Sequence, residues 1–243
     1  IDAIKIAAMD FGSLYFQTGQ FDSAVVHFTK SLSLKSNLND EKGMAATYSN
    51  LGSVYIYKKD YEQSMKFFNQ SLAIRTKIKD KKGVAVTLHN IAGILSERGN
   101  YIKSLEYYKK GLEIEMAEKN KRGMAQSFSG IAATYFRMGE LNKALDYQKK
   151  ELALVDEFSI PHDQAISYNN IATTYSEMGQ TQNALNHFNI ALNRAIIAKS
   201  RNFIAICYLN ISSEAEYNDV QNEPPPLVDP LKRPHLNYER LSD

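Results

Sequence analysis

The chain has 243 residues, of which 44% are hydrophobic and 23% charged, and its formal net charge is +2. This composition suits a chain that buries a core, and the small net charge argues against nucleic acid or an anionic membrane surface as partner. No apolar run approaches the roughly 20 residues that span a bilayer. The single cysteine, Cys207, excludes an intrachain disulfide and fits a reducing compartment, so we expect a cytoplasmic protein.

The sequence repeats with a period of 40 residues, which is the first feature met along the chain. Side chains of one type recur in register, and each such set forms a column. The aliphatic column contains Leu51, Ile91, Ile131, Ile171 and Ile211. A large, mostly aromatic column contains Tyr48, Leu88, Phe128, Tyr168 and Tyr208. Internal repetition at this period is typical of solenoid proteins.

Each repeat is predicted to contain two helices. The first helix carries a large, an aliphatic, a small and an aromatic residue at relative spacings of about 0, 3, 4 and 7. These positions form one stripe along an α-helix. Residue types that favour the N-cap position precede it at Asp40, Asp80, Asn120 and Ser200. A turn column, Gly19, Lys59, Gly99, Gly139 and Gly179, is expected to end it. The second helix carries a small residue and, four positions later, a large one, as in Ala184 and Phe188.

In chain order we predict helix pairs at about 2–38, 42–78, 82–118, 122–157 and 162–198, then a terminal helix at about 202–218. Two departures from the pattern occur after repeat three. Gln148 stands where repeat four should carry its large aromatic residue, and Ile160-Pro161 replaces the capped loop before repeat five. Residues 1–218 are therefore expected to form one helical array.

These columns resemble the tetratricopeptide repeat family, which has an aromatic residue, Leu-Gly and Tyr on its first helix, and Ala then Phe on its second. Tyr48, Leu51-Gly52 and Tyr55 show the pattern in repeat two. The longer unit is similar to the repeats of Pins-type adaptors, kinesin light chains and bacterial sensor-kinase segments. The resemblance implies an all-α fold: a right-handed superhelical solenoid of antiparallel helix pairs, with five repeats and a terminal helix.

The candidate binding residues lie on the first helices, which should line the concave surface of such a solenoid. The column just before the aliphatic one is about 150° away from the packing stripe. It contains Asp10, Asn50, Asn90, Gly130, Asn170 and Asn210. Asparagine is a mediocre helix former but offers donors and acceptors that suit an extended backbone. We predict that this asparagine column holds peptide; the alternative is that each amide bonds to a neighbouring helix and fixes repeat geometry.

Further candidates share that face. They are Tyr57, His89, Gln126, Arg137 and Asn169, with Glu97 and Glu177 nearby. For each residue alone, a solvated helix face is the competing interpretation. Glycine at position 130 interrupts the asparagine column and is expected to leave room for a bulky ligand side chain.

These patterns predict a non-catalytic scaffold or adaptor that binds a protein or peptide ligand in the concave groove. The alternative is a sensory or regulatory segment of a larger signalling protein, such as a bacterial histidine kinase or a peptide-responsive regulator. No nucleotide-binding, hydrolase or metal motif is present in the sequence, so we expect no catalytic residues, no metal site and no cofactor. Cys207 is expected to be a packed small side chain rather than a nucleophile.

The chain ends in a proline-rich segment, residues 219–243, which contains five of the six prolines. Proline blocks helix formation, so an extended or disordered tail is expected. Three interpretations stay open: a linker to a further domain, a segment that binds a separate partner, or a pseudo-ligand that folds back into the groove.

Overall fold

The computed structural model describes the backbone of residues 2–222 and the side chains of residues 8–216, and within that part every element is a helix. The helices are α1 (Asp2–Gln17), α2 (Phe21–Asn37), α3 (Glu41–Tyr57), α4 (Tyr61–Lys77), α5 (Lys81–Glu97), α6 (Tyr101–Ala117), α7 (Lys121–Arg137), α8 (Leu141–Phe158), α9 (Pro161–Glu177), α10 (Thr181–Ile197) and α11 (Arg201–Asn222). The fold is an all-α repeat solenoid, as the sequence predicts.

Successive helices form pairs, which we number as repeats one (α1–α2) to five (α9–α10). Each helix packs chiefly against its neighbours in sequence, and the first helices α5 and α7 also contact each other directly. Side-chain contacts also join α1 to α3 and α9 to α11. The odd-numbered helices α1 to α11 thus follow one another along one side of the array, which we call the first-helix face.

Left-handed backbone conformations end the helices. At the turn column, Gly19, Gly99, Gly139 and Gly179 have φ between 70° and 76°, which glycine adopts without steric cost. Lys59 takes the same place in repeat two with φ 58°. A lysine there carries the Cβ penalty that glycine avoids. The turn column was thus predicted correctly, including its one residue that is not glycine.

Capping side chains begin several helices. Asp40, Asp80 and Asn120 each accept a hydrogen bond from the backbone N–H three residues later, at 2.9, 3.0 and 3.3 Å. Asp60 caps the second helix α4 in the same way, through the N–H of Gln63 at 3.0 Å. Helix α9 begins differently, with Pro161 at its first turn after the extended residue Ile160. Proline is tolerated there because that N–H has no intrahelical partner.

The buried core consists largely of the residues in the repeating columns. Leu51, Ile91, Ile131 and Ile171 are almost completely buried, as are Phe28 and Phe68 of the second helices. Small residues allow this close packing: a Cβ atom added at Gly52 would lie 2.8 Å from the ring of Phe68. Ser64 and Ser104, in the small column of the second helices, donate to the carbonyls of Gly52 and Ala92 at 2.7 and 2.8 Å. Helix pairs are thus held by both apolar contact and buried hydrogen bonds.

The terminal helix α11 ends at Asn222 rather than at 218, so the first residues of the predicted tail are helical. The three interpretations of the proline-rich tail otherwise concern residues that lie outside the described part. Cys207 is fully buried against Ala191 and Ala195, in keeping with a packed side chain, and burial raises the pKa of its thiol. Across the helices described here, none has the length and apolar character needed to cross a bilayer.

Candidate functional site

Three adjoining pockets open between the first helices α5, α7 and α9. The largest, which we call the repeat-three pocket, has a volume of about 580 Å³ and lies between α5 and α7. The repeat-four pocket, of about 390 Å³, and the inner pocket, of about 160 Å³, lie between α7 and α9 with α8 beneath them. Ser129 of α7 contributes to all three. The pockets therefore form one continuous depression on the first-helix face.

The repeat-three pocket brings together three predicted site residues. His89 and Asn90 come from α5, and Gln126 comes from the next first helix, α7. Gln126 is exposed and also lines the repeat-four pocket. Asn90 lines this pocket, and among residues 8–216 its side-chain amide makes no hydrogen bond. An amide placed in this way can bond to a ligand without first breaking an internal contact.

His89 is held by a buried hydrogen-bonded network. Its Nε2 lies 2.8 Å from the hydroxyl of Ser127, which in turn donates to Glu115 Oε2 at 2.8 Å. The Ser127 hydroxyl therefore joins the imidazole of His89 to the carboxyl group of Glu115. Burial lowers the pKa of His89 to about 4, so the ring is neutral at pH 7. Burial also raises the pKa of Glu115, against the opposing hydrogen bond from Ser127.

The other asparagines divide into two groups. Asn170 lines the inner pocket, so it resembles Asn90. Asn210 instead donates to Asn169 Oδ1 at 2.9 Å, a bond that joins α11 to α9. Asn50 approaches the sulfur of Met9 at 3.7 Å, a weak contact between α3 and α1. Two members of the column thus face pockets, and two contact the preceding first helix.

Neither Tyr57 nor Arg137 lines any of the three pockets. Tyr57 is 64% exposed and stacks on Phe21, with ring centroids 5.6 Å apart. Arg137 forms an ion pair with Glu97 of the preceding repeat, and that hydrogen bond raises the pKa of its guanidinium. Glu97 lines the repeat-three pocket, so this pair borders it.

Gly130 does not leave space for a ligand side chain, so that expectation was wrong. A Cβ atom at position 130 would lie 2.3 Å from Cε1 and Cζ of Tyr108. The tyrosine comes from α6 and fills the space over the glycine. The absence of a side chain at this position is therefore explained by internal packing.

Sequence reasoning missed two pocket residues on α8. Gln148 and Glu151 lie on the floor of the inner pocket, and each is more than nine-tenths buried. Burial raises the pKa of Glu151 to about 7; Ser167, which donates to its Oε1 at 3.2 Å, opposes that shift. The departure of Gln148 from the aromatic column was visible in the sequence, and it was the signal for this polar floor.

No cluster of three or more histidine, cysteine, aspartate or glutamate side chains suited to a metal ion occurs in the described part of the chain. The Ser127 hydroxyl bonds to both His89 and Glu115, so the serine, not the histidine, is the central member of this network. In a Ser-His-acid triad the histidine is central, because it takes the proton from serine. The network therefore lacks the order of a triad.

Comparison with known proteins agrees with this architecture. The sequence profile described as tetratricopeptide repeat matches residues 5–77, 43–117 and 123–209, most of the chain. The chain belongs to the tetratricopeptide repeat family. No curated protein matches the sequence significantly.

Solved structures of similar fold include aspartyl phosphate phosphatase F from Bacillus subtilis, with a TM-score of 0.82, 16% identity, and coverage of 90% of this chain and 57% of that one. A Rap protein complexed with competence and sporulation factor has a TM-score of 0.73 and 17% identity, and the match covers 90% of this chain and 66% of that one. BtubC (BKLC) from P. vanneervenii has a TM-score of 0.69 and 18% identity, and the match covers 78% of each chain. At these identities the likeness concerns the fold alone. The tetratricopeptide fold is generally a non-catalytic scaffold for protein interaction.

Proposed function

We propose that this tetratricopeptide array is a non-catalytic adaptor that binds an extended segment of a partner protein along the first-helix face, in a concave groove. The main observation in support of this proposal is the continuous depression across α5, α7 and α9, in which Ser129 lines all three pockets. A depression that crosses three consecutive first helices has the extended form that a peptide backbone needs.

The asparagines supply the chemistry of this proposal. Asn90 and Asn170 face pockets in repeats three and five, two repeat periods apart. An asparagine side chain offers one acceptor oxygen and two N–H donors, so it can bond to both the C=O and the N–H of an extended chain. Such contacts hold main chain of any sequence, and selectivity then depends on the pockets beside them. A Rap protein of similar fold was crystallised in complex with competence and sporulation factor. That complex is compatible with ligand binding by such an array.

A peptide-array pulldown with the full chain tests the proposal. The variant Asn90→Ala/Asn170→Ala removes both pocket-facing amides. The matched control is Asn69→Ala/Asn142→Ala, which removes two exposed asparagines from the second helices α4 and α8. We expect the first variant to lose about tenfold or more in affinity, which corresponds to two ordinary hydrogen bonds. Equal binding by the wild type and both variants, with unchanged circular dichroism, would assign the asparagines a structural role.

The alternative is that the same array is a sensory or regulatory segment of a larger signalling protein. The favouring observation is that the chain spans only 57% and 66% of two structures of similar fold, so such arrays occur within longer chains. A kinase or other effector domain encoded in the same reading frame would support this alternative. The binding experiment is the same in both cases, because a sensor also needs a ligand.

A further inference from the structure

The floor between α7 and α9 differs from that of every other repeat. Where repeats one, two and five carry Phe-x-x-Ser or Phe-x-x-Ala and repeat three carries Tyr-x-x-Gly, repeat four carries Gln148 and Glu151. Both side chains are buried, with relative exposures of 6% and 8%. An aromatic residue and a small residue have thus been replaced by an amide and a carboxylic acid in the interior, which costs free energy unless the polar groups are fully bonded.

The two side chains are only partly bonded by the protein. Gln148 donates through Nε2 to the carbonyl of Asn170 at 3.2 Å, and Glu151 Oε1 accepts from Ser167 at 3.2 Å. The remaining oxygens, Gln148 Oε1 and Glu151 Oε2, are buried and have no protein hydrogen-bond donor. Both residues line the inner pocket, and Glu151 also lines the repeat-four pocket. Two unpaired acceptors therefore lie beneath the same opening.

Together with the proposed function, on which this inference rests, these observations define the ligand chemistry of repeat four. We infer that the inner pocket, which adjoins the repeat-four pocket at Glu151, receives a cationic side chain of the bound peptide, an arginine or lysine, whose N–H groups donate to Glu151 Oε2 and Gln148 Oε1. A carboxylate and an amide oxygen are both acceptors, so a group that carries only donors matches them. The terminal torsions of Glu and Gln are broad, so a small rotation brings these oxygens to the pocket surface.

The charges around the adjoining repeat-four pocket favour a cation. Asp163 of α9 lines the repeat-four pocket and adds a second acid, and its charge contributes to the raised pKa of Glu151. On α8 itself, Asp156 is held by Gln164 at 2.8 Å. The one cation that lines this pocket is Arg122 of α7, whose guanidinium lies 5.8 Å from the ring centroid of Phe158. The carboxylates thus outnumber the guanidinium when Glu151 is ionised.

A small cation tests the pocket independently of any peptide. The probe is n-butylguanidinium, and its neutral control is n-butylurea, which has a similar shape and also donates N–H bonds. The observed signal is the side-chain carboxyl resonance of Glu151 in the full chain labelled with ¹³C at glutamate, assigned by its loss in Glu151→Gln. We expect n-butylguanidinium to lower the Glu151 pKa from about 7, because a nearby cation favours the carboxylate. An unchanged titration, or an equal effect of n-butylurea, would overturn the inference.

Two variants separate charge from packing. Glu151→Gln keeps the shape of the side chain and removes its charge, while Gln148→Phe/Glu151→Ala restores the residues that repeat five carries at Phe188 and Ala191. We expect neither variant to show the chemical-shift changes that n-butylguanidinium causes at the labelled α8 and α9 backbone amides of the wild type. Shift changes of the same size in both variants would also overturn the inference.

Peptides captured in the pulldown then separate this inference from the proposed function. Replacing the critical arginine by citrulline should weaken binding to the wild type by about tenfold or more and leave binding to Glu151→Gln unchanged. If peptides bind the asparagine column but no basic residue matters, the inference fails and the proposed function stands. If n-butylguanidinium binds at Glu151 but no peptide binds the face, the proposed function fails and the pocket keeps its cation chemistry.

Discussion

At the scale of single residues, Gly130 shows how internal packing can imitate a binding feature. The helix position faces the repeat-three pocket, yet its missing side chain makes way for the ring of Tyr108. Gly93 lines the same pocket, but a Cβ atom there would lie 3.6 Å from Tyr108 Oη, an ordinary contact. The two glycines therefore form a matched pair.

We predict opposite effects of alanine at these positions. Gly130→Ala should lower the free energy of unfolding by about 1–2 kcal/mol, since overpacking outweighs the gain in helix propensity. Gly93→Ala should raise it by about 0.5–1 kcal/mol, because it gains the propensity without a clash. Urea unfolding followed by circular dichroism measures both. Equal effects of the two substitutions would contradict the packing of Tyr108 on Gly130.

The buried groups His89 and Glu151 predict opposing pH dependences. The pKa of His89 is about 4 in the folded chain against 6.5 ordinarily, so its stabilisation is complete above 6.5 and is lost as pH falls toward 4. The pKa of Glu151 is about 7 against 4.5, so the stability that it contributes is complete below 4.5 and is lost as pH rises toward 7. Between these limits the two contributions nearly cancel in the wild type.

Single variants should expose each contribution. Relative to the wild type, Glu151→Gln should lose about 1 kcal/mol of stability for each pH unit of acidification from 6.5 to 4.5, and His89→Gln should gain a similar amount. Urea unfolding at several pH values, with the exposed Glu62→Gln as control, gives the slopes. Parallel pH profiles for wild type, Glu151→Gln and His89→Gln would show that neither group has a perturbed pKa.

At the scale of helices, the second helices differ in whether a side chain caps their N-terminus. Asp60 accepts from the N–H of Gln63 at the start of α4, whereas Asn100, in the same column before α6, makes no side-chain cap bond. Asp60→Ala should therefore cost about 1 kcal/mol of stability, and Asn100→Ala a few tenths at most. Thermal unfolding of both variants checks this. A cost at Asn100 as large as that at Asp60 would mean that the side-chain hydrogen bond is not the source of the effect.

Helix identity and order could be predicted from the sequence because the 40-residue columns report the same packing five times over. Turn residues such as Gly139 and caps such as Asp80 act locally, so their roles follow from neighbouring positions alone. The site was harder to predict. Whether an asparagine faces a pocket, as Asn90 does, or bonds to the next helix, as Asn210 does, depends on contacts between residues about a repeat apart.

At the scale of the whole molecule, the array places two buried polar side chains beside an opening of the first-helix face. The floor formed by Gln148 and Glu151 lies beneath the depression that crosses α5, α7 and α9. Repeat arrays sum nearly independent units, so one repeat can give up stability without unfolding the rest. This arrangement is consistent with a binding surface whose selectivity is concentrated in repeat four.

The most direct test of the central claim blocks the depression at its shared residue. Ser129→Trp fills the point where the three pockets meet, and Ser33→Trp, on the exposed surface of α2, is the matched control. The affinity of a captured peptide is measured by fluorescence anisotropy for both variants, with folding checked by circular dichroism. We expect Ser129→Trp to lower this affinity by about tenfold or more and Ser33→Trp to leave it unchanged. Wild-type affinity in a folded Ser129→Trp variant would contradict this expectation and place the binding surface elsewhere on the array.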